Sequence, residues 1–135
     1  MGLPGAGKTT LAQHIVAQFQ NEKRPIKWLN ADDVRKQYND WDFSHEGRIR
    51  QSLRMRELAD SMTEYEYVIC DFVAPLVEMR DNFEADWTIW VDTIREGRYV
   101  DTNAMFEEPE IYDFRVTEQQ AEKWSKIVVA HLRSL

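Results

Sequence analysis

The sequence predicts an α/β fold in which a parallel sheet lies between two layers of helices. Three observations predict it. The chain opens on Gly2-Leu3-Pro4-Gly5-Ala6-Gly7-Lys8-Thr9, which fits G-x-x-x-x-G-K-[ST]. A helical pattern follows at once. Beyond it, short apolar runs of strand length alternate with helical periods, which argues for βα units and parallel pairing. The fold class is therefore a three-layer P-loop NTPase sandwich, with residues 1–135 read as a single kinase-sized domain.

In chain order, Thr10 to Gln20 reads as a helix, because Leu11, Ile15 and Phe19 recur at i, i+4 and i+8. Pro25 closes the loop after it. Ile26 to Leu29 is a short strand, and Asp32 to Asn39 a short helix. Glu46 to Glu64 is a longer helix with Ser44 as its N-cap. Tyr67 to Phe72 is apolar at nearly every position, as a buried parallel strand would be. Pro75 to Phe83 is a helix with Pro in its first turn. Trp87 to Val91 is a buried strand, Arg95 to Pro109 is polar and irregular, and Tyr112 to Val116 is an edge strand. Thr117 caps a last helix, Glu118 to Leu132, with Ala121, Trp124, Val128 and Leu132 on one side.

One element is missing. A P-loop follows a strand and opens a helix, yet only Met1 precedes Gly2. The first, central strand is expected to be absent from this chain. Three readings account for that: a fragment, a start assigned to an internal Met, or a fold that compensates.

Composition narrows the function classes. A net charge of −7 and a pI near 5.0 disfavour extended nucleic-acid binding by bulk charge, while a local basic site for a small anion remains open. No apolar run approaches the ~18 residues of a membrane span, and the cytoplasm is the expected compartment. Cys70 is the single cysteine and sits in an apolar run, where packing is the ordinary role. His14, His45 and His131 lack metal-ligand spacing.

The glycine-rich loop carries the strongest chemistry. Its glycines let backbone N–H groups turn inward around phosphate oxygens, and the helix behind it adds its N-terminal dipole. Gly2, Pro4, Gly5, Ala6, Gly7, Lys8, Thr9 and Thr10 are the candidate ATP-binding residues. Lys8 would meet the β- and γ-phosphates, and the Thr9 hydroxyl would ligate Mg²⁺.

Four further segments supply candidates. Asp32 follows the Ile26 strand, at the carboxyl end where α/β ligands bind. It either orients or deprotonates a hydroxyl, holds Mg²⁺ through water, or merely caps the next helix. Arg35, one turn on, is placed to hold an acceptor anion. In 43–56, Arg48, Gln51 and Ser52 share a helix face, while Arg50, Arg54 and Arg56 read as a solvated face. Phe43 is either core or a platform for a base. Asp71 ends an apolar strand, as a Walker-B-type carboxylate near Mg²⁺ or as a loop cap. Arg95 and Arg98 fall where small kinases carry a lid, or are ordinary surface arginines.

Together these residues resemble adenylylsulfate kinase, from the P-loop to about Trp90-Val91-Asp92-Thr93. Asn30-Ala31-Asp32-Asp33-Val34-Arg35 is similar to that family's acidic segment, which implies a catalytic role for Asp32 and a substrate-binding one for Arg35. Phe43-Ser44 followed by Arg48 is similar to its substrate turn and helix. Val73-Ala74-Pro75 with Arg80 is similar to the segment after its third strand. Asn30 stands where the family usually has Asp, Gln51 where it has Asn and Ala74 where it has Ser; Asp71 is an added carboxylate, and 93–109 is shorter than the family lid. The resemblance implies an ATP- and Mg²⁺-dependent kinase of sulfate assimilation, with Arg35, Phe43, Arg48, Gln51 and Arg80 on a nucleotide-like acceptor. A homodimer is an option. Two other readings stand beside it: a kinase for another acceptor (nucleoside, modified DNA base, polynucleotide end or small metabolite), and a nucleotide-binding module without turnover.

Overall fold

A computed structural model describes residues 1–97 and 99–134, so the lid candidate Arg98 lies outside the described residues. The elements run α1 (Lys8–Asn21), β1 (Ile26–Asn30), α2 (Ala31–Tyr38), α3 (His45–Ser61), β2 (Tyr67–Asp71), α4 (Val77–Phe83), β3 (Ile89–Val91), α5 (Val100–Met105), β4 (Phe114–Val116) and α6 (Ala121–Arg133).

Side chains alternate across a strand, so each strand feeds two faces. Ile26, Ile69, Val91 and Val116 pack with Ile15 and Phe19 of α1 and Val128 of α6. Leu29, Val68, Cys70 and Phe72 pack with Val34 of α2, Met55 of α3 and Met79 of α4. Helices therefore cover both faces, which is the expected three-layer arrangement. Among the described residues no helix is long and apolar enough to cross a membrane.

The described strands form two parallel pairs rather than one sheet. β1 pairs with β2 from Ile26↔Tyr67 to Asn30↔Asp71, and β3 with β4 from Ile89↔Phe114 to Val91↔Val116. Met1 and Gly2 stand between the pairs. The Met1 amino group donates to Ile89 O at 2.8 Å, Val91 N–H donates to Met1 O at 2.9 Å, and Gly2 N–H donates to Val73 O at 3.2 Å. The sheet is split at Met1 and Gly2. This explains a departure from the sequence expectation: Tyr67 to Cys70 are only half-buried, because β2 has a partner on one edge alone.

Two further expectations are corrected. The segment 95–109 is not wholly irregular, since α5 forms within it. Thr117 does not cap the last helix; α6 starts after Gln120 with no side-chain cap. A turn intervenes, closed by Gln120 N–H donating to Glu118 O.

Candidate active site

The glycine-rich loop arches from Met1 into α1. Gly7 is the N-cap of α1 in the left-handed region, at φ 101°. Gly2 has φ 149°, and a Cβ there would lie 2.4 Å from Val91 O, so only glycine allows this approach to β3. Lys8 Nζ donates to Leu3 O at 3.0 Å, across the loop it belongs to. Ala6 is buried, and its carbonyl accepts from Thr93 Oγ1 at 2.6 Å. Pro4 faces Gly97, whose added Cβ would meet Pro4 O at 2.9 Å. Gln119 Nε2 donates to Gly5 O at 3.3 Å and Thr93 Oγ1 at 3.2 Å. Thr10 is exposed on the first turn of α1.

At the carboxyl ends of β1 and β2, three polar side chains meet. Thr9 Oγ1 donates to Asp71 Oδ2 at 2.9 Å, and Asn30 Nδ2 donates to the same oxygen at 3.1 Å. Asp71 is 6% exposed, so these bonds offset its loss of water. Asn30 also caps α2, its Oδ1 accepting from the N–H groups of Asp32 and Asp33 at 3.0 and 3.1 Å. That bridge was missed in the sequence, where only the cap signal, Asn before a helix, was available. Asp32 is exposed in the first turn of α2. Among the described residues no group of three His, Cys, Asp or Glu surrounds a metal position. A hydroxyl beside a carboxylate nevertheless suits Mg²⁺, which takes few protein oxygens and fills its shell with water and phosphate.

The second cluster lies on α2, α3 and the loop between them. Arg35 is 5% exposed and Arg48 8%, and both guanidinium groups lie over the ring of Phe43, at 4.4 and 5.5 Å from its centroid. Arg35 Nη1 donates to the carbonyls of Asp40 and Asp42, and Arg48 Nε to Phe43 O. Burial lowers the pKa of both arginines; the charge of Asp101 opposes this at Arg48. Phe43 is 50% exposed, so it lies at the surface rather than in the core.

Gln51 departs from its assignment. It is 2% exposed, its Nε2 donates to Ala31 O at 3.1 Å, and its Oε1 accepts from Arg54. Both ends of the amide are engaged inside the fold, because the α3 face that carries it packs on α2 and β2. Nor do Arg54 and Arg56 form an idle solvated face. Arg50 and Arg54 grip Asp40, holding its carboxyl well below the usual carboxylate range. Arg56 donates to Phe83 O and Glu84 O at the end of α4. Arg80 donates to Ala74 O, Pro75 O and Glu107 O, tying two loops together. Arg95 is exposed and pairs loosely with Asp92 at 3.5 Å. Burial pushes the Cys70 thiol up to about 12, so it stays a thiol at neutral pH, as a packing residue would.

Comparison with known proteins adds family evidence. The family model described as adenylylsulphate kinase matches residues 1–108. A probable adenylyl-sulfate kinase of Aeropyrum pernix is 33% identical over 82 residues, 59% of this chain and 45% of that protein. The bifunctional enzyme NodQ of Azospirillum brasilense is 31% identical over 86 residues, 62% of this chain and 14% of that protein. The chain thus spans less than half the length of these curated relatives. The APS kinase CysC of Mycobacterium tuberculosis, solved in complex with AMPPNP and APS, superposes with a TM-score of 0.81 over 98% of this chain and 94% of that one. At 19% identity this likeness is one of fold.

Proposed function

The chain belongs to the adenylylsulphate kinase family, and from that premise we propose that it moves the γ-phosphoryl group of ATP to the 3′-hydroxyl of adenosine 5′-phosphosulfate. The observation that carries this reading is the pairing of Thr9 with Asp71 at 2.9 Å directly behind the phosphate loop. A hydroxyl beside a carboxylate is the kind of oxygen pair that Mg²⁺ takes beside a nucleotide, and this supports the reading.

In this reading the loop N–H groups and Lys8 hold the donor phosphates. Lys8 leaves Leu3 O for the phosphates, which its flexible stem permits. Thr9 and Asp71 would hold Mg²⁺, which would supply charge neutralisation at the phosphate oxygens. Arg35 and Arg48 clamp the acceptor's anionic end, and Phe43 offers its open ring face to the base. Asp32 orients the acceptor hydroxyl and takes its proton. The bond from the hydroxyl oxygen to phosphorus forms as the β,γ-bridging P–O bond breaks, giving ADP and the 3′-phosphorylated acceptor. Arg80 and Arg95 sit on the segments that flank the donor site, with Arg80 holding the 74–75 turn in place.

The test is transfer from labelled ATP to adenosine 5′-phosphosulfate, alone and against nucleosides and polynucleotide ends. Labelled 3′-phosphoadenosine 5′-phosphosulfate is the expected product; transfer to another acceptor in preference would overturn the acceptor assignment.

A further inference from the structure

The glycine-rich loop is shaped by the orientation of its peptide groups. Ala6 N–H donates to Leu3 O at 3.1 Å, which closes a turn with Pro4 and Gly5 at its centre. Gly5 has φ 88° and Gly7 φ 101°, the first as the third residue of a type II turn requires. Glycine permits these angles but does not select them, since it takes either sign of φ about as readily. The peptides beside Gly5 and Gly7 therefore depend for their orientation on what bonds to them.

Two side chains from outside the loop bond to them. Thr93 follows β3 and Gln119 precedes α6. Asp92 N–H donates to Val116 O at 2.8 Å, which extends the β3–β4 pair and brings the two segments side by side. Thr93 Oγ1 donates to Ala6 O at 2.6 Å, so its single proton is committed there. Gln119 Nε2 then meets two acceptors, Thr93 Oγ1 at 3.2 Å and Gly5 O at 3.3 Å. The successive carbonyls of Gly5 and Ala6 are thus held by one linked pair of side chains. The stem of Gln119 also lies over Gly7, its Cγ 3.9 Å from where a Cβ on Gly7 would stand.

In a trans peptide the C=O and the following N–H point in opposite directions. Holding Ala6 O towards Thr93 turns Gly7 N–H away from Thr93, and holding Gly5 O towards Gln119 keeps Ala6 N–H on Leu3 O. If the peptide between Ala6 and Gly7 rotated, a carbonyl oxygen would take the place of that N–H, and it would repel a phosphate that the N–H attracts. We propose that Thr93 and Gln119 are positioning residues for the loop. Without touching the ligand, they hold two carbonyls outward so that Gly7 N–H is presented to a polyphosphate. This rests on the reading of the loop as the donor-phosphate site.

The test titrates tripolyphosphate, which carries no base or sugar, and ATP into the chain without Mg²⁺, with a thermal melt of each variant alongside. Thr93→Val keeps the shape and removes the hydroxyl. It is expected to weaken both ligands by the same factor, about fivefold or more. Thr93→Ser should restore the wild-type affinity. Gln119→Ala, at an exposed position, should weaken both ligands in the same direction by less. A lowered Tm with unchanged tripolyphosphate affinity would make these bonds structural only and overturn the proposal. Loss of ATP affinity alone would overturn it too, by placing the two side chains on the base. So would a Thr93→Ser variant as weak as Thr93→Val. A wild-type chain that binds both ligands leaves the donor-phosphate reading standing whatever the variants do; one that binds neither overturns that reading and this inference with it.

Discussion

The Thr9 hydroxyl donates to Asp71 Oδ2 at 2.9 Å, so the first turn of α1 is bonded to the end of β2. Replacing Asp71 by Asn keeps the shape and removes the charge. Turnover should fall about 10²-fold, and the Mg²⁺ concentration needed for half-maximal rate should rise. Binding of ATP without Mg²⁺ should change little. Rate measured against Mg²⁺ concentration checks this; an unchanged Mg²⁺ requirement would remove Asp71 from the metal site.

Lys8→Ala should lower transfer by about 10²-fold or more, because the lysine compensates charge that develops on the transferring group. The fold should survive. The bond from Lys8 to Leu3 O is part-buried, and loss of one such side-chain bond costs about 1 kcal/mol. Single-turnover kinetics beside a thermal melt separate the two effects.

Arg35→Ala and Arg48→Ala should each weaken acceptor binding roughly 10- to 100-fold, as loss of a charge-assisted contact does. ATP affinity should hold. Arg35→Ala should also lower Tm, since Arg35 fastens the carbonyls of Asp40 and Asp42. Asp32→Asn should instead lower kcat with little change in either affinity. Calorimetric titration with ATP, then with adenosine 5′-phosphosulfate, distinguishes these outcomes. Lost ATP affinity in the arginine variants would show that the cluster serves the donor.

The 135-residue chain should lose stability as pH falls from 8 towards 5. Unfolded, the Met1 amine binds a proton below its ordinary value of 8.0; folded, it stays neutral down to about 5. The unfolded state therefore binds more protons across that window, and acidification favours it. The upper bound is about 4 kcal/mol. Acetylating the amine should flatten the difference. Melts of acetylated and free chains at several pH values, compared pairwise, cancel every other titrating group. Parallel curves would show that the amine reaches water.

Much of the fold was legible in the sequence. Helical periodicity placed α1, α3 and α6, and apolar runs placed β1, β2 and β3 to within a few residues, because a face that must be buried leaves its period in the chain. Element ends were less legible. The true start of α6 is set by the turn at 118–120, not by the nearest cap-forming residue, and α5 lies in a segment with no apolar period to announce it.

By itself the sequence determined the turn of the glycine-rich loop and the layered α/β class, since Gly2, Gly5 and Gly7 set local backbone geometry at positive φ. Only the tertiary structure decided which candidates meet. Asp71 and Asn30 reach Thr9 because β1 and β2 lie side by side in register. Arg35 and Arg48 converge on Phe43 because α2 and α3 fold back on each other, while the same packing turns Gln51 inward. These contacts join residues far apart in the chain, and periodicity reports which face is buried without reporting what it is buried against.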